Sequence, residues 1–465
     1  MANKIPRIHA REQDAKIRIT NFDEVCYGYS ADEAVLEASR CLNCKNPRCV
    51  NDCPVNIDIP KFISEIAKND FAKAVETVAQ YSSLPAVCGR VCPQETQCEG
   101  SCILGIKNEP VAIGKLERFI ADWSRENNLS FLEKKQSNGK RIAIIGSGPA
   151  GLSCAYDLAK TGYDVTIFEA LHETGGVLAY GIPEFRLPKK TVVAHEIENL
   201  KKIGVQIETN IIIGRTFTIE QLLDEEKFDS VFIGTGAGLP KFMNINGENL
   251  NGVMSANEFL TRANLMKAFD ENYDTPIYVG KKAVVVGGGN VAMDAARTAL
   301  RLGAEVTVVY RRTEVELPAR REEVVHAKEE GINFNMLTNP VEIIGNEKGW
   351  VKEIRCVRCE LGEPDSSGRR SPVVIPNSEF NIETDVVIMA LGTSPNPLIA
   401  STTQGLQTNK YKCIVVDDEG RTSRTGVFAG GDVATGAATV ILAMGAGRKA
   451  ANAIDKYLNQ NKQKP

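Results

Sequence analysis

Nine of the chain's 13 cysteines fall between Cys26 and Cys102. Eight of these stand in two groups. The first reads Cys41-x2-Cys44-x4-Cys49-x3-Cys53-Pro54, and the second reads Cys88-x3-Cys92-Pro93 followed by Cys98 and Cys102. Closely spaced thiolates ending in Cys-Pro are the pattern of ferredoxin-type iron–sulfur ligation, in which the fourth Cys of a run can serve a second cluster. Two Cys-Pro pairs point to two clusters with interleaved ligands. Zinc is the rival reading, although within these two groups its C-x2-C knuckle occurs only at Cys41 and Cys44. Buried structural thiols account poorly for eight cysteines in two tight groups. The N-terminal stretch MANKIPRIHAREQDAK is charged and lacks an apolar signal core, so a cytoplasmic chain with reduced thiols is expected.

A second chemistry begins at Arg141, in RIAIIGSGPAGLSCAYDLAKTGYDVTIFEA. An apolar run, Ile142 to Ile145, predicts a buried strand. Gly146, Gly148 and Gly151 follow in G-x-G-x-x-G spacing, Pro149 and Ala150 open a helix to Lys160, and a strand from Val165 to Phe168 ends at Glu169. This is a βαβ dinucleotide fingerprint: one glycine turns the chain, one admits the pyrophosphate, and one packs helix on strand. The helix N-terminus faces the phosphates, and the terminal acid accepts from ribose hydroxyls. The motif recurs 141 residues later, at Lys282 onward, with Gly287, Gly289, Asn290 and Val291 at the turn. In this copy Tyr310 replaces the acid, and Arg311 and Arg312 follow. Arginine in that place favours a ribose 2′-phosphate through charge-assisted bonds, so the second site reads as NADP-specific.

The elements that must position these residues are legible in outline. Ser30-Ala-Asp-Glu33 resembles a capping box ahead of a helix that delivers Cys41. A helical segment separates the cysteine groups, and another, Val111 to Trp123, carries Glu117 and Arg118. Residues 127–140 read as a linker. Gly175 and Gly176 open a loop, YGIPEFRLPK, that holds Arg186. Val231 to Gly236 and Val386 to Gly392 read as strands ending in turns, and 250–276 as a helix and connector. Residues 341–384 are strand-like; Cys356 and Cys359 there would face opposite sides of a strand and share no metal. Gly426 to Asp432 is a strand ending in Gly431-Asp432, before Ala438, Thr439 and a last helix, well placed to bind a second phosphate-bearing part of the first nucleotide. His9, His172, His195 and His326 suggest no catalytic dyad. With net charge −4, no basic block and no apolar run long enough to span a bilayer, neither nucleic acid nor membrane is expected as a partner.

Two dinucleotide sites and two clusters suggest electron transfer in the order NADPH, flavin, cluster, external acceptor. Across nearly its whole length the chain resembles the small (β) subunit family of NADPH-dependent glutamate synthase. The resemblance rests on RCLNCKNPRCVNDCP, GRVCP, CEGSC, IIGSGPAGL, YGIPEFRLPK, GGGNVAMDAARTALRLGAEVTVVYRR and GVFAGGDVATGAATVILAMGAGRKAA. The N-terminal module is shared with dihydropyrimidine dehydrogenase. The spacing Cys92-x5-Cys98-x3-Cys102 is more similar to stand-alone relatives. These are homotetrameric glutamate synthases, sulfide dehydrogenase large chains, and the large subunit of NADH-dependent reduced ferredoxin:NADP oxidoreductase, an electron-bifurcating family.

The resemblance implies an α/β fold with two thioredoxin-reductase-like dinucleotide-binding domains, behind an α-helical iron–sulfur domain. The expected spans are 1–136 for two 4Fe–4S clusters, 137–276 and 396–465 for FAD, and 277–395 for an inserted NADP domain. It implies Cys41, Cys44, Cys49 and Cys102 for one cluster, and Cys53, Cys92, Cys98 and Glu117 for the other, with Cys88 a bystander. It places FAD at Gly146, Gly148, Pro149, Ala150, Gly151, Glu169, Gly176, Gly431, Asp432, Ala438 and Thr439, and Arg186 beside the isoalloxazine. NADP falls to Gly287, Gly289, Asn290, Val291, Arg311 and Arg312. The implied function is an FAD and iron–sulfur oxidoreductase exchanging electrons between NADP(H) and a partner subunit or ferredoxin. The alternatives are a self-contained homo-oligomeric glutamate synthase or sulfide/polysulfide oxidoreductase, and a nucleotide-binding redox sensor without turnover.

Overall fold

The computed structural model describes residues 5–129, 133–364 and 368–460. Part of the expected linker, 130–132, lies outside them. The N-terminal region is helical: α1 (Ala31–Ala38), α2 (Ile59–Ala67), α3 (Phe71–Ala79), α4 (Pro85–Val91) and α5 (Ile113–Glu126). The Ser30/Glu33 capping box forms at the start of α1. Asp58 and Asp70 cap α2 and α3 by accepting from Lys61 N and Lys73 N. Ile59, Phe62, Ile63 and Ile66 recur at helical spacing and bury one face of α2. Helices α4 and α5 cross closely at Gly89, where a Cβ would lie 2.6 Å from Arg118 N. Pro93 ends the chain's helical path just after Cys92.

The first βαβ unit is β1 (Arg141–Ile145), α6 (Pro149–Lys160) and β2 (Asp164–Phe168). With β3 (Gln206–Glu208), β4 (Ser230–Ile233) and β14 (Val427–Ala429) it builds a parallel sheet of order β14-β4-β1-β2-β3. Helix α7 (Ala194–Lys202) lies between β2 and β3 in sequence. The chain leaves this sheet after β4 and returns only at β14.

In between it forms a second parallel sheet from β5 (Val253–Ser255), β6 (Lys282–Val286), β7 (Glu305–Val309), β8 (Asn333–Asn335) and β13 (Val386–Met389), in order β8-β7-β6-β13-β5. Helices α8 (Asn290–Arg301) and α9 (Arg321–Glu329) belong to this unit. An antiparallel sheet is appended: β9 (Thr338–Gly345), β10 (Val351–Pro364), β11 (Arg370–Val374) and β12 (Phe380–Glu383). Within the expected 137–276 span, Val253 pairs with Val387, and Phe259 and Leu260 pack with Ala283 and Val285, so 253–260 joins the second sheet, while Asn264 donates to Tyr180 O of the first unit.

The last helix, α10 (Val440–Gln460), ties the regions together. A single core joins Phe62, Ile63 and Leu116 of the N-terminal helices to Leu152 of α6 and Met444 and Ile454 of α10. At Gly447 a Cβ would stand 2.2 Å from Ala150 O, so α6 and α10 cross at backbone contact.

A charged junction fastens the N-terminal region to α8 and α9. Arg18, only 3% exposed, pairs with Glu329 at 2.7 Å and Glu330 at 2.8 Å. Glu330 also takes Arg297 at 2.7 Å and Arg301 at 2.8 Å. Arg320 donates to Arg90 O at 2.6 Å and Gln94 Oε1 at 2.9 Å.

Candidate functional site

The fold draws the cysteines into two sets. Helix α1 ends just before Cys41, a short turn of helix at Arg48–Asn51 places Cys49 and Cys53, and α4 ends on Cys92. Burial pushes the Cys49 thiol up to about 12, with Cys102, Cys41 and Cys44 adding to it as neighbours. Burial likewise raises Cys41, with Cys102 and Cys44 close enough to contribute. In the other set, burial holds Cys53 at about 11, and its charged neighbours are Glu117 and Cys92. Cys98 is pushed well up by burial, and its neighbours include Cys92, Cys53 and Glu117.

Glu117 lies beside the second set. It is 7% exposed, its Oε1 has no hydrogen-bond partner, and burial followed by Glu196 pushes its carboxyl up to about 8. A buried oxygen left without a partner carries an uncompensated desolvation cost, which a bound metal group would remove. Among the described residues no three His, Cys, Asp or Glu side chains close on a single metal-ion position. Cys88 lies beside the second set: its hydrogen bond with Cys92 and its burial raise it well above the usual thiol range, with Glu117 and Cys53 adding as neighbours, and its Sγ is also 3.4 Å from Met444 Sδ on α10.

The first glycine turn is shaped for a pyrophosphate. Gly146 has φ +99°, and a Cβ there would meet Gly234 O at 2.7 Å. A Cβ on Gly151 would stand 2.0 Å from Gly146 O. At Gly148 the nearest atom to a Cβ is 4.0 Å away, so the backbone there is open on the side a phosphate approaches. Gly148 and Pro149 begin α6, and Ala150 is buried behind them. The Gly176 loop closes over this turn, with a Cβ position 2.9 Å from Gly148 Cα.

Glu169 is buried at the end of β2. It accepts from Ser147 N at 2.9 Å, from Ser147 Oγ and from Leu171 N at 2.9 Å. A carboxylate has about four acceptor positions, so one remains for a ribose hydroxyl. At the far end, Gly431 turns with φ +75° against Ala150, where its Cβ would be 2.9 Å from that side chain's Cβ. Burial pushes the Asp432 carboxyl up to about 6, and Ala438 N donates to it at 3.2 Å. Thr439 leads into α10.

The second glycine turn repeats this geometry. Gly287 has φ +143° and leaves no room for a Cβ beside Ala390 O, while Gly289 is open to 3.9 Å. Asn290 accepts from Arg320 N at 2.9 Å, and Val291 is exposed on the first turn of α8. Tyr310 is buried and donates to Glu316 O at 2.9 Å. The two arginines part ways: Arg311 is exposed, whereas Arg312 is 8% exposed and its Nε donates to Arg370 O at 2.7 Å.

Arg186 is also engaged otherwise than expected. Its guanidinium pairs with Asp294 of α8 at 2.6 Å and Glu323 of α9 at 2.9 Å, which spends its charge on a bridge between the nucleotide units. Asp294, Glu323, Glu330 and Arg18 were not singled out by sequence reasoning, because nothing local marks partners so distant along the chain.

Comparison with known proteins agrees with this geometry. Residues 18–129 match the family model "dihydropyrimidine dehydrogenase domain II, 4Fe-4S cluster", and residues 140–454 match pyridine nucleotide-disulphide oxidoreductase. The chain is 38% identical to the glutamate synthase [NADPH] small chain of Halomonas elongata, over 98% of this chain and 97% of that one. It is 41% identical to the NADP(+)-dependent formate dehydrogenase subunit beta of Moorella thermoacetica, covering 90% of this chain and 60% of that protein. Among solved structures, FprA from Mycobacterium tuberculosis in complex with NADPH shares the fold at 20% identity and TM-score 0.59, covering 70% of this chain and 85% of that one. The chain belongs to the glutamate synthase small-chain family of NADPH-dependent FAD and iron–sulfur oxidoreductases.

Proposed function

We propose that the chain takes electrons from NADPH and delivers them singly, through its cysteine region, to a cytoplasmic partner: an electron-transfer subunit or a ferredoxin. When bound, the flavin exchanges a hydride with the nicotinamide and releases its electrons one at a time, which four-iron clusters accept. Cys41, Cys44, Cys49 and Cys102 hold one cluster. Cys53, Cys92, Cys98 and Glu117 hold the other. The observation that carries this reading is Glu117, a buried acid whose free Oε1 shares a neighbourhood with three cysteines.

The remaining residues bind and orient. Backbone amides at the Gly148–Gly151 turn hold the FAD pyrophosphate, Glu169 fixes its ribose, and the Gly176 and Gly431–Thr439 loops enclose the flavin end. Gly287 to Val291 hold NADP, with Arg311 on the 2′-phosphate. The order of transfer is supported by packing. Pro54, next to Cys53, has its carbonyl 2.8 Å from the Cβ position of Gly445 in α10, the helix that starts at the flavin loop. Cys41, Cys44, Cys49 and Cys102 are half-exposed, which suits them to the exit.

Anaerobic mixing of holoenzyme with NADPH should bleach flavin absorbance at about 450 nm and then develop the EPR signal of reduced clusters. A flavin that stays unbleached refutes the reading. Iron and sulfide analysis should give about eight of each per chain.

A further inference from the structure

Behind the second cysteine set lies a cavity of about 70 Å³, open to solvent on one side. Helices α3, α4, α5, α6 and α7 all contribute to its wall. It shares no residue with either glycine turn. Val75, Val78, Ile120 and Leu200 make most of the lining apolar. The polar end is Ser82 and Ser83, in the turn between α3 and α4. They are 1% and 5% exposed, and neither hydroxyl has a hydrogen-bond partner. Buried hydroxyls are ordinarily satisfied, so two adjacent orphans facing one cavity point to a missing partner.

Three titratable groups also line the wall. Arg125 pairs with Asp122 at 2.9 Å. Glu196 accepts from Ala86 N at 2.7 Å, and burial favours its neutral form. His195 is held towards its neutral form by burial and by Lys202 and Arg125. A ligand without a polar group would leave both serines unsatisfied.

We infer that this cavity is a binding site for a small, largely apolar molecule bearing a hydroxyl or carbonyl group that bonds Ser82 and Ser83. Ile120 lies one helical turn beyond Glu117, and Ala86 two residues before Cys88, so an occupant sits against the elements that carry the second cysteine set.

The test is calorimetric titration of anaerobic holoenzyme with 1-naphthol, with 1-methylnaphthalene as the probe lacking a polar group. The expected result is saturable binding of 1-naphthol at one site per chain. Ser82→Ala combined with Ser83→Ala should weaken 1-naphthol about tenfold and leave 1-methylnaphthalene unchanged. Ala121→Phe, which fills the cavity, should abolish binding of both probes while NADPH still bleaches the flavin. Absence of saturable 1-naphthol binding overturns the inference. So does a serine double variant that binds 1-naphthol as wild type, or that loses both probes equally. If the phenylalanine variant fails to retain flavin, the serine variant decides. Binding is read without turnover, so its failure is distinct from failure of the electron-transfer reading.

Discussion

Replacing Arg311 with Ala isolates the determinant of NADP preference. The sequence offers two arginines after β7, but the structure spends Arg312 on the Arg370 carbonyl and leaves Arg311 exposed. A charge-assisted hydrogen bond to a phosphate contributes about 1.5–3 kcal/mol, and each 1.4 kcal/mol is a factor of ten. Exposure puts Arg311 at the lower end of that range. Arg311→Ala should therefore lower the NADPH/NADH ratio of kcat/KM about tenfold. Arg312→Ala should cost about 1 kcal/mol of stability through the lost backbone bond, with little change in that ratio. The assay is anaerobic initial rates with an artificial one-electron acceptor and each nucleotide in turn. A pH series adds a check, because a phosphate monoester loses its second charge at a pH near about 6. The wild-type preference should shrink below that pH, and the Arg311→Ala ratio should stay flat. Equal losses for NADPH and NADH, or a larger selectivity change in Arg312→Ala, would refute the reasoning.

Other consequences can be measured directly. Arg186→Ala strands the Asp294 and Glu323 carboxylates in a buried junction, and urea titration should show a loss of about 3–5 kcal/mol. Glu117→Ala should lower iron content towards about four per chain, while Glu117→Gln should retain more; unchanged iron in both would remove Glu117 from the ligand set. Gly148→Val should fold normally by circular dichroism yet purify without flavin, since the added atoms enter the phosphate space and not the protein. Acid stability should depend on Glu323. Burial alone would raise its carboxyl, but Arg186 and Arg297 outweigh burial and hold it at about 2. A depressed carboxyl stabilises above its unfolded pKa and loses that contribution as pH falls from about 4.5 to 2, here on the order of 3 kcal/mol. Glu323→Gln should flatten stability in this window; an unchanged slope would assign acid unfolding to other groups.

Local chemistry was readable where spacing dictates geometry. The glycines of both turns sit where only glycine fits or where a ligand needs room, and the ribose acid ends β2 as its position requires. The capping box at Ser30 formed as written. Other features have no local signature. Arg18 meets Glu330 across 312 residues of chain, and no periodicity announces such a partner. Val253–Ser255 is too short to advertise which sheet it joins, and only its pairing with Val387 decides. Arg311 and Arg312 look alike in sequence; their division of labour comes from β11, which reaches Arg312 from 58 residues away. Glu117 resembles any helical glutamate until its surroundings show no partner for Oε1.

The Arg18–Glu330 contact also sets a schedule for synthesis. A chain emerging at about 5–20 residues per second places roughly 15–60 s between the two residues. Over the later part of that interval, after Glu126, the cysteine-bearing helices have been made while α9, their fastening point, has not. The nascent N-terminal region is therefore unlatched at the time its thiols are first available, and iron–sulfur insertion has a window before the junction closes. A substitution that weakens Arg18 would act on the junction only once α9 has been made.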